Sequence, residues 1–363
     1  MYTTAELIAL TLLPGISSDL LRRIVDGVST FDRFRSLSPR ELALLGLKRV
    51  TIEALLGGWG GWDEGERQVE LCLSAGGDIL TWWDNRYPAL LRQIYAPPVL
   101  LYARGSLAPP DADGVAIVGT RGASMYGRLS AERYATACAA AGVSVISGLA
   151  RGIDSYAHSA VLRAGGRTVA IVACGVDRIA PTSSARLAEK IMGSGAIVSE
   201  HPFGVQAVPA YFPRRNRIIS GMTRGTVVIE SDERGGSMIT AGFALDQNRE
   251  VFALPGPVTS PKSRGTNQLI RTDRARLTQE PGDMLEVMGY CVALPSEQRK
   301  GLRAEDLTAF EARVYDALEV EPIHVDALCE RTDLASSDVL VALLTLEFKG
   351  LVRQMAGKLF LRE

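Results

Sequence analysis

The sequence has few cysteines, and none stands in a spacing that a metal site or a disulfide framework would need. The five cysteines among 363 residues are isolated, no CxxC pair occurs, and their number is odd. Zinc sites and small disulfide scaffolds both depend on paired cysteines. The composition argues against both, and it predicts a cytoplasmic protein in a reducing compartment. The cysteines are Cys72, Cys138, Cys174, Cys291 and Cys329.

Long hydrophobic runs are also missing. No stretch of 18 consecutive apolar residues occurs, so no membrane span is predicted. The first 15 residues, MYTTAELIALTLLPG, are apolar, but they contain Glu6 and have no basic leader. We therefore predict a soluble amphipathic helix here rather than a signal peptide.

Recognised catalytic signatures are missing as well. The sequence has no Walker loop, no G-x-G-x-x-G fingerprint and no H-E-x-x-H motif. His158 follows Asp154 by one helical turn, and an intrahelical contact or a buried hydrogen bond would explain it. Glu230, at the end of a predicted strand, could act as a general base, but orienting Arg217 or a backbone amide is the better interpretation. We predict no cofactor, no metal site and no catalysis.

The chain as a whole has no excess of either charge, since its net charge is −1, but its parts differ. Residues 112–280 hold 20 Arg or Lys against 13 Asp or Glu, and only two of the twenty are Lys. Residues 303–363 hold 7 against 12. Arginine is preferred where a planar, bidentate donor holds phosphate. The central region is therefore the candidate for binding an anionic ligand.

The length predicts two or three domains. Apolar residues at helical spacing open the chain, and the turns LPGIS (13–17) and LGLKR (45–49) between them resemble the hairpins of a helix-hairpin-helix or SAM-like module. The second Gly of the Gly-x-Gly in such hairpins is Ser17 or Lys48 here, so a small packing domain is at least as good an interpretation. The predicted division is 1–60 for this helical domain, 61–112 for a connecting segment leading into the core, 113–290 for the core, 291–302 for a linker and 303–363 for a C-terminal domain.

Six short apolar, β-rich runs dominate the core region, and most are separated by segments long enough for helices. Continuous apolar runs are typical of strands buried on both faces. With helical crossovers they predict an α/β fold, a Rossmann-like doubly wound and mostly parallel sheet. The runs are VAIVG (115–119), VSVIS (143–147), TVAIVA (168–173), AIVSE (196–200), TVVIE (226–230) and VFALP (251–255).

The C-terminal domain has the outline of a winged helix. Three segments of helical spacing are followed by RQMAGKLFLRE, a hairpin with Gly at its turn. The third helical segment carries Asp338 and Glu347 but only one basic residue, Lys349. Helices that read duplex DNA usually carry more Arg, Lys or Asn. We therefore favour a partner-binding or regulatory winged helix over one that reads a duplex.

Two loops after neighbouring strands are the candidates for anion binding, GTRGAS (119–124) and SGLARGID (147–154). Ligands of doubly wound sheets bind beyond the carboxyl ends of the strands. Glycine lets a backbone approach a ligand closely, and each following helix N-terminus adds partial positive charge. Ser124 and Asp154 are predicted to cap those helices. Exposed amides beside Arg121 and Arg151 would then form a clamp for phosphates.

Several arginine-bearing segments fit a chain of phosphates better than a single nucleotide, because affinity grows with each phosphate neutralised. A third such segment, FPRRNRIISG (212–221), lies before the fifth predicted strand. Aromatic residues near these segments could stack unpaired bases, although each alone is explained by core packing. As a group they favour single-stranded DNA. They are Tyr126, Tyr156, Phe203, Tyr211 and Phe212.

At these motifs the sequence resembles the DNA-processing protein A (DprA/Smf) family. The similar stretches run in order over about 185 residues, which makes the resemblance specific in a way that one Gly-rich loop is not. They are YPALLRQIYAPPVLLYARG (87–105), VAIVGTRGASMYG (115–127), SGLARGIDSYAH (147–158), SEHPFGVQAVPAYFPRRNRIISGM (199–222), GGSMITAGFALDQNREVFALPG (235–256) and SRGTNQLI (263–270).

The resemblance implies a Rossmann-like core that dimerises and binds single-stranded DNA. It also implies partnership with the recombinase RecA, protection of incoming DNA and RecA loading during natural transformation. Arg121 and Arg151 would grip phosphates, and Arg151 stands where many relatives carry Lys. The resemblance and the loop motifs together predict twelve DNA-binding residues. They are Gly119, Thr120, Arg121, Gly122, Ser147, Gly148, Arg151, Gly152, Arg214, Arg215, Asn216 and Arg217.

Two other functions stay open at this point. The first is a Rossmann-like hydrolase of nucleotide monophosphates, whose P-G-G-x-G-T-x-x-E motif is only partly matched by ERGGSMITAGFA (233–244). The second is an adaptor that binds partners through its end domains and keeps a vestigial pocket. Turnover of AMP would favour the hydrolase, and failure to bind oligo-dT would leave the adaptor.

Overall fold

The computed structural model describes residues 2–290, 307–319, 322–348, 351–355 and 357–362. The chain forms two compact units, Met1–Leu294 and Pro295–Glu363. The linker predicted at 291–302 lies outside the described residues. In the part of the chain that is described, no helix is both long and apolar enough to cross a membrane.

The first unit begins with five short helices, and side-chain caps set the starts of the first four. The hydroxyls of Thr3, Ser17, Thr30 and Ser38 each accept a backbone N–H in the first turn that follows. The turns at Gly15 and Gly46 both have positive φ, and Thr51 Oγ1 donates to the carbonyl of Pro14 at 2.6 Å. The two predicted hairpin turns therefore adjoin. The helices are α1 (Thr4–Leu12), α2 (Ser18–Gly27), α3 (Phe31–Arg35), α4 (Pro39–Leu44) and α5 (Arg49–Leu56).

Residues 61–112, interpreted from sequence as a connecting segment, also contribute two strands to the sheet. The segment contains α6 (Gly61–Ser74), β1 (Gly77–Thr81), α7 (Ala89–Arg92), β2 (Leu100–Gly105) and the start of a 3-10 turn (Pro109–Asp113). β1 pairs antiparallel with β2, and β2 pairs antiparallel with a strand of the core. The half-buried residues of β1 lack the continuous apolar character of the inner strands, because this strand lies at the edge.

The sheet has nine strands in the order β1-β2-β6-β5-β4-β3-β7-β8-β9, and β3 to β9 pair in parallel. All six predicted strands are present, which confirms the doubly wound, mostly parallel fold. The strand order reverses between β3 and β7, the position where such sheets open a ligand crevice. The remaining strands are β3 (Gly114–Gly119), β4 (Val145–Ser147), β5 (Thr168–Ile171), β6 (Ala196–Ser199), β7 (Thr223–Ile229), β8 (Glu250–Ala253) and β9 (Arg276–Leu277).

Helices cover both faces of the sheet, because alternate residues of the buried strands point to opposite sides. Along β3, Val115 and Ile117 pack against one group of helices, and Ala116 and Val118 against the other. α8 (Met125–Ala140), α9 (Ile153–Arg163) and α14 (Pro281–Val287) share the first face. α11 (Tyr211–Gly221), α12 (Gly236–Asp246) and α13 (Pro261–Arg271) share the second. α10 (Ala185–Ser194), preceded by the 3-10 turn Thr182–Ser184, packs beside α9.

The second unit is a winged helix, as predicted. Three helices enclose a small apolar core that includes Val314, Leu328 and Leu343. A hairpin that turns at Gly357 forms the wing, and a short strand before the second helix adds to it. The elements are α15 (Ala309–Asp316), β10 (Ile323–His324), α16 (Val325–Thr332), α17 (Ser336–Phe348), β11 (Val352–Met355) and β12 (Leu359–Arg362).

Candidate nucleic-acid interface

The two arginine-bearing loops touch each other at the carboxyl ends of β3 and β4. Ile153 N–H donates to the carbonyl of Thr120 at 3.3 Å. Gly152 has a φ of 84°, and a Cβ there would lie 2.7 Å from the carbonyl oxygen of Arg121 and closer still to that of Thr120. Only glycine combines this backbone conformation with such a close approach. Gly152 is therefore required for the contact between the loops.

The other predicted glycines differ in what they do. A Cβ on Gly119 would lie 2.5 Å from Ile153 Cγ1 and would meet the carbonyl of Ile229, so this glycine is also needed for close packing. A Cβ on Gly148 would lie 2.6 Å from the guanidinium of Arg215. Gly122 has no atom within 4 Å of that position. Protein packing therefore explains three of the four glycines and leaves Gly122 facing open space.

A carboxylate from β7 occupies the amides of the first loop. Glu230 follows β7 with a φ of 52°, and its side chain accepts the Ser124 N–H at 2.8 Å and the Ser124 hydroxyl. Its carbonyl accepts the Thr120 N–H at 2.8 Å. Ser124 in turn caps α8 by accepting the Gly127 N–H at 3.1 Å, which confirms its predicted role. Glu230 thus orients backbone amides, and Arg217 has another partner.

A second carboxylate does the same for the second loop. Asp154 lies in the first turn of α9 rather than at its N-cap, which is Gly152. Its buried carboxylate accepts the N–H groups of Gly148 at 3.1 Å and Ala150 at 3.4 Å. Burial raises the pKa of Asp154, and the charge of Arg215 opposes that shift.

These two carboxylates correct the expectation of exposed amides. The prediction took the loop amides as free donors for an anion, but Ser124, Gly148 and Ala150 already donate to side chains of the protein. An internal carboxylate satisfies a helix N-terminus as an external phosphate would. The carboxylates therefore occupy part of the backbone donors of the two loops, and the guanidinium groups supply the net positive charge for a ligand.

Arg121 and Arg151 are both exposed, on loops that adjoin. Within the described part of the chain neither forms an ion pair. The Arg121 guanidinium lies 5.5 Å from the centroid of the Phe212 ring, so that side chain is supported from α11. The two charges lie on one side of the molecule and are not neutralised by carboxylates.

The three arginines of α11 point in different directions. Arg214 is exposed. Arg215 is only 5% exposed and donates to the carbonyls of Gly148, at 2.7 Å, and Ile171. Burial lowers the pKa of Arg215 to about 10. Arg217 is half-buried and forms an ion pair with Glu200. Of this predicted trio, Arg214 alone is exposed.

Two further predicted residues, Ser147 and Asn216, form hydrogen bonds within the protein. Ser147 is buried, and its hydroxyl donates to the carbonyl of Ile117 at 2.6 Å. Asn216 accepts from Arg215 Nε at 3.2 Å and donates to the carbonyl of Gly236 at 3.4 Å. Ser147 therefore stabilises the sheet, whereas Asn216 joins α11 to the start of α12.

A cavity of about 480 Å³ opens between these elements. Arg121 and Phe212 line it, together with residues just before and within the start of α12, between Ser231 and Thr240. No predicted site residue lies in this α12 part of the lining, although Gly235-Gly236-Ser237 at a helix start was a visible signal. Gly119, Thr120 and Arg215 also line the cavity. The cavity thus lies at the crevice beyond β3 and β7.

The aromatic residues divide between core and surface. Phe203 is buried and packs edge-on against Tyr102 at 6.3 Å between ring centroids. Tyr211 stacks on His201 at 4.2 Å. Tyr126 is partly exposed, and its hydroxyl donates to the carbonyl of Pro255 at 2.7 Å. Phe212 is the one of the predicted group that lines the cavity beside a site arginine.

The groups considered for catalysis are engaged elsewhere. His158 is fully buried, its Nδ1 lies 2.6 Å from Thr168 Oγ1, and burial lowers its pKa to about 3. Cys174, a further buried group just after β5, has a thiol whose pKa burial raises. Glu230, the candidate general base, accepts two hydrogen bonds from Ser124. Of the two explanations considered for His158, the buried hydrogen bond is formed, and its partner Thr168 lies on β5.

The fold and the site define a class: a doubly wound α/β protein with a winged helix at its C-terminal end and an arginine-lined crevice at the strand switch point. Residues 78–289 match the family described as DNA recombination-mediator protein A, and residues 298–358 match the DprA winged helix domain. The chain belongs to the DprA/Smf family.

Individual relatives agree with this assignment. Protein Smf of Escherichia coli is 38% identical over 280 residues, covering 75% of this chain and 74% of its own. The structure of DNA processing protein A from Streptococcus pneumoniae superposes with a TM-score of 0.65 at 31% identity, covering 78% of this chain and 98% of that one. DNA processing protein A from Helicobacter pylori, reported with a unique single-stranded DNA binding mode, gives 0.53 at 26% identity over 58% of this chain and 95% of that one.

Proposed function

We propose that this protein binds single-stranded DNA at the crevice between the two arginine loops. The observation that carries the proposal is the pair of exposed, unpaired guanidinium groups of Arg121 and Arg151 on loops that touch. Free guanidinium groups suit the phosphates of a nucleic-acid backbone. The resemblance to relatives that process and bind DNA supports the same function.

An unpaired strand is favoured over a duplex for this site. The cavity is lined by Phe212 and by the backbone of two glycines at the start of α12, so one base could lie against a ring while phosphates lie on the arginines. Such an arrangement needs an unstacked base, which a duplex does not offer.

Exposed residues of α17 support a protein-binding role for the winged helix, because Leu340, Val341 and Leu344 are 44%, 66% and 54% exposed.

We further propose that the site binds DNA without turning over nucleotides. The two carboxylates next to the arginine loops, Glu230 and Asp154, are both used to hold loop amides, so neither is free to act as a general base. Asp232, which also lines the cavity, is the carboxylate that the AMP assay below tests. Action in the cytoplasm as a homodimer, with RecA as partner in natural transformation and recombination, is the biological role that the family resemblance implies, and we include it in the proposal.

Fluorescence anisotropy with labelled oligo-dT tests the binding proposal. We expect saturable binding that weakens as salt rises, with a duplex of the same length bound more weakly. Absence of saturable binding to oligo-dT would refute the proposal and favour the adaptor. In a parallel assay with AMP we expect no release of free base, and release at enzymatic rates would establish the hydrolase.

A further inference from the structure

A second cleft of about 510 Å³ lies between α9 and α10, apart from the crevice described above. Two rows of side chains face each other across it. Ser159 and Arg163 are four residues apart on α9, and Arg186 and Lys190 are four residues apart on α10. Residues at this spacing lie on one face of a helix. Each helix therefore offers a polar, cationic row to the same cleft.

The cleft is strongly positive. Arg186 and Lys190 are exposed, and among the described residues neither forms an ion pair. Arg163 lies 3.3 Å from Glu132, a carboxylate that also pairs with Arg128 at 3.2 Å. No Asp or Glu belongs to the described lining of the cleft, which Ser159 and Ser183 complete with hydroxyl groups. Such a lining suits an anionic ligand.

The cleft is connected to the second arginine loop. Ser184, directly before α10, donates its hydroxyl to the carbonyl of Leu149 at 3.3 Å. Ser155, on the first turn of α9, donates to the carbonyl of Ala150 at 2.5 Å. Both helices therefore begin beneath the loop that carries Arg151. The 11 residues of α9 extend about 17 Å from there, so the cationic rows continue away from the crevice.

We propose that this cleft holds the phosphodiester backbone of the stretch of single strand that leaves the crevice past Arg151. The inference rests on the proposed function and adds the path that the bound strand takes when it leaves the crevice. The apolar residues of the described lining are Leu162 and Leu187, and no aromatic ring belongs to that lining, so the cleft offers contacts to phosphates and none for stacked bases. It would therefore bind by charge, without sequence preference.

Two oligonucleotide lengths separate this proposal from the first one. An oligo-dT of about 6 nucleotides would occupy the crevice, whereas one of about 20 would also reach the cleft. For the double variant Arg186→Ala/Lys190→Ala we expect unchanged binding of the short oligonucleotide and about tenfold weaker binding of the long one. The slope of log affinity against log salt for the long one should fall by about 1.4, the effect of two phosphate contacts on a single strand.

Arg271→Ala/Arg274→Ala is the matched control, because it removes the same charge from exposed positions next to β9, at the opposite end of the sheet. Arg186→Gln/Lys190→Gln should behave like the alanine pair, and both should melt like the unaltered protein. Long-oligonucleotide binding equal to that of the unaltered protein, or an equal loss in the control, would overturn the proposal. If the unaltered protein bound neither oligonucleotide, the proposed function itself would fail.

Discussion

The two arginine loops perform the same task with carboxylates of different origin. The first loop is held by Glu230, which lies 106 residues beyond Ser124 and reaches it from the next strand of the sheet. The second is held by Asp154, only six residues beyond Gly148 and on the helix that the loop itself starts. The first loop therefore takes its shape from tertiary structure, and the second mainly from its own sequence.

The internal carboxylates determine what each arginine loop can offer to a ligand. In both loops an internal carboxylate accepts amides that a phosphate could have used, and the arginine side chains supply the net positive charge. The second loop has an additional buried support in Arg215, whose guanidinium lies under Gly148 and donates to its carbonyl. A buried cation and a buried anion thus stabilise the loop that carries Arg151.

The largest effect is expected at Asp154. Asp154→Ala removes the acceptor of two loop amides and leaves the buried charge of Arg215 without its opposing carboxylate, so we expect a loss of about 3 kcal/mol in the free energy of unfolding. Urea denaturation measures it. Asp154→Asn keeps an acceptor oxygen and should lose less, and equal stability of Asp154→Ala and the unaltered protein would show that the local carboxylate is dispensable.

A smaller loss is expected at Glu230. Glu230→Ala leaves the Ser124 N–H and hydroxyl without their acceptor, which should cost about 2 kcal/mol of unfolding free energy and weaken oligo-dT binding through a loosened first loop. Thermal melting and anisotropy measure the two effects. Glu230→Gln, which retains one acceptor, is the control, and normal stability of Glu230→Ala would contradict the long-range support of this loop.

The exposed arginines should affect binding and spare folding. Arg121→Ala and Arg151→Ala should each lower the salt slope of oligo-dT binding by about 0.7, the contribution of one phosphate on a single strand. Their unfolding free energies should stay within about 0.5 kcal/mol of the unaltered protein, because neither side chain is buried or paired. Arg215→Ala is the contrasting variant, since it should lose stability. Normal DNA binding by both single variants would show that the crevice is not the DNA-binding site.

The smallest effect is expected from removal of the winged helix. A chain ending at residue 302 should bind oligo-dT with affinity close to that of the full chain, since the removed residues carry net negative charge. Anisotropy titration of both forms tests this. A loss of tenfold or more would show that the winged helix contributes to strand binding.

The inner strands and the position of the arginine loops were predictable from sequence, because continuous apolar runs and the glycines that follow them are local signals. The different fates of Arg214, Arg215 and Arg217 were not. Successive residues of a helix point about 100° apart, so which arginine is buried depends on the distant Gly148 loop that packs against α11. β1 and β2 were missed as strands for a similar reason, since their pairing is long-range.

The hydrogen-bond partners of the two loop carboxylates were likewise not predictable from sequence. Glu230 was read correctly as an orienting group, but its partner Ser124 could be identified only once β3 and β7 were seen side by side. Asp154 was expected to cap α9 and instead accepts the amides of Gly148 and Ala150 in the preceding loop, where Leu149 between them has a φ of 57°.

The central claim is that Arg121 and Arg151 act together on one strand of DNA. A crystal structure of the protein with a short oligo-dT tests it most directly. We expect neighbouring phosphates within hydrogen-bonding distance of both guanidinium groups, at the loops that follow β3 and β4. A strand bound elsewhere, with both side chains still in solvent, would contradict it.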